Sequence, residues 1–146
     1  MHQVITQNKY WNGLFILIGF SILIGVAFGL STFYKPARDA QNEAGIQITA
    51  NELFAKYAAD QKMADSLFLD KTIEVTGSII KIGENQEGQQ NVELKTLQDN
   101  GTIFCTLKLK QDLQIQQQVT LKGICKGYRD QMMVFDVVLV DCYLIK

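Results

Sequence analysis

The sequence predicts a mainly β domain with helices: a five-stranded barrel preceded by an amphipathic helix and an N-terminal transmembrane helix. Three observations predict it. Trp11 to Tyr34 is an uncharged run of twenty-four residues. Between Thr49 and Phe68 apolar residues recur at helical spacing, and from Lys71 onward the period changes to two. The chain divides accordingly into a tail (1–10), a transmembrane helix (11–34), a linker (35–48) and a helix-plus-barrel domain (49–146).

A bilayer core about 30 Å thick needs roughly 20 apolar residues in helix. Leu14 to Phe33 supplies them, with Tyr10 and Trp11 at one rim, Tyr34 at the other, and Lys9 and Lys35 ending the run. Aromatic rims of this kind favour the water–lipid interface. A cleaved signal peptide is the rival, through Ala27-Phe28-Gly29, but the run exceeds the roughly 7–15 residues of a signal core. No cysteine follows it closely enough to make a lipoprotein signal. Lys9 and the amine on one side balance Lys35 and Arg38 on the other, so the flanking charges give no direction. The short tail favours a domain outside the cytoplasm. Ser21, Gly25 and Gly29 line one helix face and permit self-association, although glycine is common in membrane helices anyway.

The linker is polar and holds the only proline, Pro36. Thr49-Ala50-Asn51-Glu52 then matches a capping box, in which threonine and glutamate each satisfy a backbone donor at the helix start. Leu53, Phe54, Tyr57, Ala58, Ala64, Leu67 and Phe68 form one stripe. Mixed charges (Glu52, Lys56, Asp60, Lys62, Asp65) predict that this helix packs on the domain and does not lie on lipid.

Ile73, Val75, Gly77 and Ile79 alternate with polar residues before the phase slips to Ile80 and Ile82. A slip beside glycine predicts the bulge that bends a strand round a small barrel. Four further strands are predicted: Asn91 to Leu97, Thr102 to Leu109, Val119 to Tyr128 and Val134 to Ile145. Asp99-Asn100-Gly101 supplies one turn and Arg129 to Met133 another. Five such strands, the first long and bent, fit the OB-fold.

Several segments carry a family resemblance. They are Thr49-Ala50-Asn51-Glu52-Leu53 with Tyr57, Ile73-Glu74-Val75-Thr76-Gly77, Gly123-Ile124-Cys125-Lys126-Gly127, and Asp136-Val137-Val138-Leu139-Val140-Asp141-Cys142. Over about Thr49 to Lys146 the chain resembles the tRNA-anti-like OB-fold proteins. The resemblance implies the fold and no particular activity.

Composition excludes several functions. The only histidine, His2, precedes the domain, so neither a histidine-ligated zinc site nor a histidine triad can be built there from this chain. No phosphate-cradling glycine motif is present. No enzyme, cofactor or metal is expected. Of 14 Lys and Arg residues only Lys9 precedes the apolar run, leaving 13 against 15 acidic residues, which gives nucleic acid no support from charge.

Cys105, Cys125 and Cys142 fall on the predicted inward face, the last in phase with Val138, Val140 and Leu144. Three readings stay open: buried small hydrophobes, a Cys125–Cys142 disulfide across the last hairpin, or thiolates needing a further metal ligand. A disulfide would also support placement outside the cytoplasm.

OB-folds bind across their second and third strands. Lys95, Phe104 and Lys108 lie on that outward phase, with Arg129 in the last loop beside Met132 and Met133. An outward Phe104 between lysines suits base or sugar stacking, and the plain alternative covers it with the Thr49–Phe68 helix or has it fill a second small core. The acidic loop Gly83 to Gly88 opposes phosphate. The sequence therefore predicts a membrane-anchored, non-enzymatic module for a protein partner or envelope component. Single-stranded nucleic acid or oligosaccharide on the strand 2–3 face is the alternative.

Overall fold

The computed structural model describes residues 40–131 and 134–146. The segment read as a transmembrane helix, with Ser21, Gly25 and Gly29, lies outside the described residues, as do Met132 and Met133. Among the described residues no helix is long and apolar enough to cross a membrane.

Thr49 opens the helical segment with the predicted box. Its Oγ1 accepts from the Glu52 N–H at 3.2 Å, and Glu52 Oε2 accepts from the Thr49 N–H at 3.2 Å. The expected single helix is two, α1 (Ala50–Ala59) and α2 (Gln61–Phe68). Asp60 breaks it. With extended backbone (φ −157°, ψ 101°) it donates its N–H to Lys56 O and accepts the Met63 N–H on Oδ1 at 3.0 Å, capping both helices at once. Leu53, Phe54, Tyr57, Ala64 and Phe68 are buried as the stripe predicts, but Ala58, at the edge of the α1 stripe, and Leu67, beyond the break, are exposed.

A short strand, β1 (Ile46–Thr49), occupies the end of the stretch read as linker and runs parallel to Ile73–Thr76. Its Ile46-Gln47-Ile48-Thr49 does alternate, but four mostly exposed residues are too short a run to stand out from the polar stretch before them.

The barrel comprises β2 (Thr72–Glu84), β3 (Gln90–Lys95), β4 (Gly101–Leu107), β5 (Gln118–Gln131) and β6 (Val134–Leu144). The phase slip in β2 is a register shift between Ile79 and Lys81. Up to Ser78 the strand pairs with β5; from Ile79 onward it pairs with β3. One bent strand thus serves two partners. With β3–β4, parallel β4–β6 and antiparallel β5–β6, the pairings close the OB-fold barrel. Ile73, Val75, Ile79, Val92, Leu94, Ile103, Leu121, Val137 and Leu139 fill it.

Two strand ends depart from the expected phase. The strand predicted to reach Leu109 ends at Leu107, and Leu109 is exposed. In β6 Val137 and Leu139, not Val138 and Val140, face the core. Asp141, at φ +50°, lets Cys142 return inward one residue late.

α1 seats on the barrel through Phe54. A Cβ on Gly101 would lie 2.1 Å from Phe54 Cζ, so only glycine admits the ring at this turn. Tyr128 stacks between Tyr57 and Phe135, with centroids 6.2 and 6.0 Å away.

Candidate ligand face

Cross-strand register assembles the outward face. Lys95 pairs with Thr102, Thr102 with Asp136, and Asp136 with Arg129, a line of four side chains from four strands. The next line is Glu93, Phe104 and Val138, and beyond it Asn91 stands opposite Thr106.

Arg129 lies on β5, which runs to Gln131, and not in the loop where the sequence placed it. Simple alternation from Cys125 would send it inward. Gly127, at φ +87°, accommodates the register shift between Cys125 and Tyr128, so Tyr128 enters the aromatic stack and Arg129 turns outward.

The centre of the face is Asp136, only 8% exposed. Its Oδ1 accepts from Thr102 Oγ1 at 2.7 Å and its Oδ2 from Arg129 Nη2 at 2.9 Å. Arg129 Cζ sits 4.9 Å from the Phe104 centroid, a cation–π contact. The cover on half-buried Phe104 is therefore a guanidinium, where the plain alternative expected the helix. Arg129 Nε and Asn91 Oδ1 are buried without hydrogen-bond partners among the described residues.

Other cations here are neutralised. Lys81 pairs with Glu93 at 2.8 Å, which raises the lysine pKa, and Lys108 pairs with Asp141 at 3.0 Å. The structure thus brings Phe104 and Arg129 together and aligns Lys95 with them, while Lys108 is committed elsewhere. Lys95 is exposed and borders two clefts. One, of about 360 Å³, also involves Thr49, Asn51, Ser78 and Gln118; the other, of about 160 Å³, involves Ile80, Asp99 and Thr102.

Sequence reasoning passed over Asp136 and Thr102 as site residues. The available signal was the acid itself, alone in the apolar run Val134-Phe135-Asp136-Val137-Val138-Leu139. Such a residue in a strand needs buried partners.

The cysteines are free and buried. The hairpin register sets Leu139, not Cys142, opposite Cys125, correcting the expected cross-strand pair. The reason is that the hairpin closes at Gln131–Val134 and shifts register by one more residue between Tyr128 and Cys125. Cys142 packs against Gly123, whose added Cβ would lie 2.3 Å from its Sγ. Cys125 Sγ contacts the Tyr57 hydroxyl at 3.4 Å. Burial, first among the causes, raises the pKa of Cys125, Tyr57 and Cys142. Among the described residues no group of three or more Cys, His, Asp or Glu is placed to hold a metal.

The model of a family described as tRNA_anti-like matches residues 6–142. A candidate nucleic acid-binding lipoprotein from Klebsiella pneumoniae subsp. pneumoniae MGH 78578 shares the fold at 15% identity and a TM-score of 0.51, over 68% of this chain and 92% of that one. A candidate aspartyl-tRNA synthetase from Leishmania major Friedlin aligns at 8% identity and a TM-score of 0.44, over 84% of this chain and 26% of that one. No curated protein matches.

Proposed function

The chain belongs to the tRNA_anti-like family, and within it we propose a membrane-anchored, non-enzymatic OB-fold module that binds single-stranded nucleic acid on the outer face of β3, β4, β6 and β5. The observation that carries the reading is the Arg129–Phe104 pair, held by Asp136 and Thr102, on the face where OB-folds bind. Aromatic rings and guanidinium planes are the surfaces on which unstacked bases settle. Exposed Lys95, on the same line, offers one cation to a phosphate.

Oligosaccharide has less support, because Arg129 lies over the ring that a sugar would stack on. A protein partner or envelope component, the first expectation from sequence, is favoured by a different surface. On α2, Met63 (65% exposed), Leu67 (44%) and Leu69 just beyond it form an apolar ridge. Exposed apolar groups of this kind mark contact surfaces.

Nucleic acid is met in the cytoplasm, so the proposal places the domain there. The lean toward the outside drew on the short tail and on a cysteine pair that the register does not assemble. Trp11 to Tyr34 supports the anchor by length and rims. Two measurements test the proposal together. A topology reporter fused after Lys146 should be active on the cytoplasmic side. Full-length protein in detergent should bind a single-stranded oligonucleotide of roughly a dozen nucleotides in fluorescence anisotropy. A reporter active only outside, or no binding at any protein concentration, would refute it.

A further inference from the structure

The geometry points to Arg129, and not Phe104, as the group on which a base stacks. Phe104 is its floor, and Asp136 and Thr102 are positioning residues. This inference rests on the nucleic-acid reading of the face and says how that face works.

The face of Phe104 that lies under Arg129 is reached only if Arg129 leaves. Departure would strip Asp136, only 8% exposed, of its guanidinium partner and leave the carboxylate, among the described residues, with the Thr102 hydroxyl as its hydrogen-bond partner. A buried carboxylate that loses its cation is strongly destabilised. The cation–π contact with Phe104 would be lost in the same step. Both costs hold Arg129 in place, so an approaching base meets the Arg129 side chain, which is 36% exposed although its Nε is buried. Lysine cannot substitute, since its ammonium is a point charge with no plane to stack on.

The same pair predicts an unusual salt response. Arg129 is neutralised by Asp136, and its neighbours Lys81 and Lys108 by Glu93 and Asp141. Each phosphate neutralised on a single strand contributes about −0.7 to the slope of log K against log salt. With Lys95 as the cation of the line that has no ion pair among the described residues, the slope should be near −0.7. A phosphate-tracking groove would give several times that.

The test uses full-length protein in detergent and two probes of equal length and charge: an intact single strand and its abasic counterpart. Wild type should bind the intact strand about tenfold more tightly, the scale of one stacked base. Arg129→Lys should lose that preference and bind both strands alike. Phe104→Leu should weaken it by a smaller factor. Asp136→Asn should reduce the preference and steepen the salt slope by about 0.7, because the guanidinium it releases becomes a free cation. A merely structural role for Asp136 would not move that slope.

If wild type binds intact and abasic strands equally, the inference falls while the binding function stands. The same holds if Arg129→Lys keeps the preference. Failure to bind either strand overturns both. Should Arg129→Lys not fold, the wild-type comparison and the salt slope still decide.

Discussion

Replacing Gly101 by alanine tests how α1 is seated on the barrel. The added Cβ would lie 2.1, 2.5 and 2.6 Å from three ring atoms of Phe54, where ordinary contact begins near 3.4 Å. The ring must retreat by about an ångström, and it is 2% exposed with Tyr128 at 6.3 Å on one side. Overpacking of this kind costs about 1–3 kcal/mol. At roughly 4–8 °C per kcal/mol for a domain near 100 residues, the melting temperature should fall by about 5–20 °C. Thermal unfolding followed by circular dichroism at a strand wavelength reads this directly. Phe54→Leu should be destabilising alone yet rescue part of the loss in the double variant, because contacting residues are not additive. If Gly101→Ala melts within about 2 °C of wild type, Phe54 does not fill this turn and the account of α1 is wrong.

Three further outcomes follow from the geometry. Thiol titration of denatured, unreduced protein should count three free cysteines, and in the native state alkylation should be slow, since burial raises the Cys125 and Cys142 pKa values; a count of one would restore a disulfide. Glu52→Gln should flatten the acid limb of stability: hydrogen bonds from Thr49 lower the Glu52 pKa below 4.5, so its contribution is present above that value and is lost as pH falls through the folded pKa, and an unchanged acid limb in equilibrium unfolding would contradict this. Gly127→Ala should cost about 1–2 kcal/mol in urea unfolding, because φ is +87° there, while Gly127→Asn should cost less; equal stability for all three would remove the bulge from the argument.

What the sequence disclosed, and what it hid, follows the range of the interaction concerned. The capping box joins residues three apart, so Thr49 and Glu52 announce it. The bend of β2 shows because its phase slip lies within one strand. Asp60 was legible as a helix-capping residue type but not as a break, since the apolar stripe continues across it. The last two strands are harder, because two left-handed residues reset their phases. Gly127 turns Arg129 outward, and Asp141 carries Cys142 back inward. Neither shift alters composition or local period enough to be read. Asp136 is an instructive omission: an acid in an apolar strand was visible, but its partners stand 34 residues before it, in Thr102, and 7 before it, in Arg129. Only register joins them.

A charge-balanced face also limits the affinity this domain can reach. On the proposed reading one stacked base contributes about 1–3 kcal/mol. A Kd of 1 mM corresponds to about 4 kcal/mol and 1 μM to about 8 kcal/mol. Arg129 with Lys95 alone therefore supports binding nearer the weaker figure. Weak single sites become effective when several are held close together, because the second contact is then intramolecular at roughly millimolar effective concentration. An anchor at Trp11 to Tyr34 would do that by confining copies of the domain to a surface. The expectation is that protein reconstituted densely in vesicles retains a long single strand far more tightly than it retains a short one, whereas detergent-separated copies do not distinguish the two lengths. Equal retention in both settings would mean that the face binds strongly by itself, through contacts that the ion pairs at Lys81, Lys108 and Arg129 argue against.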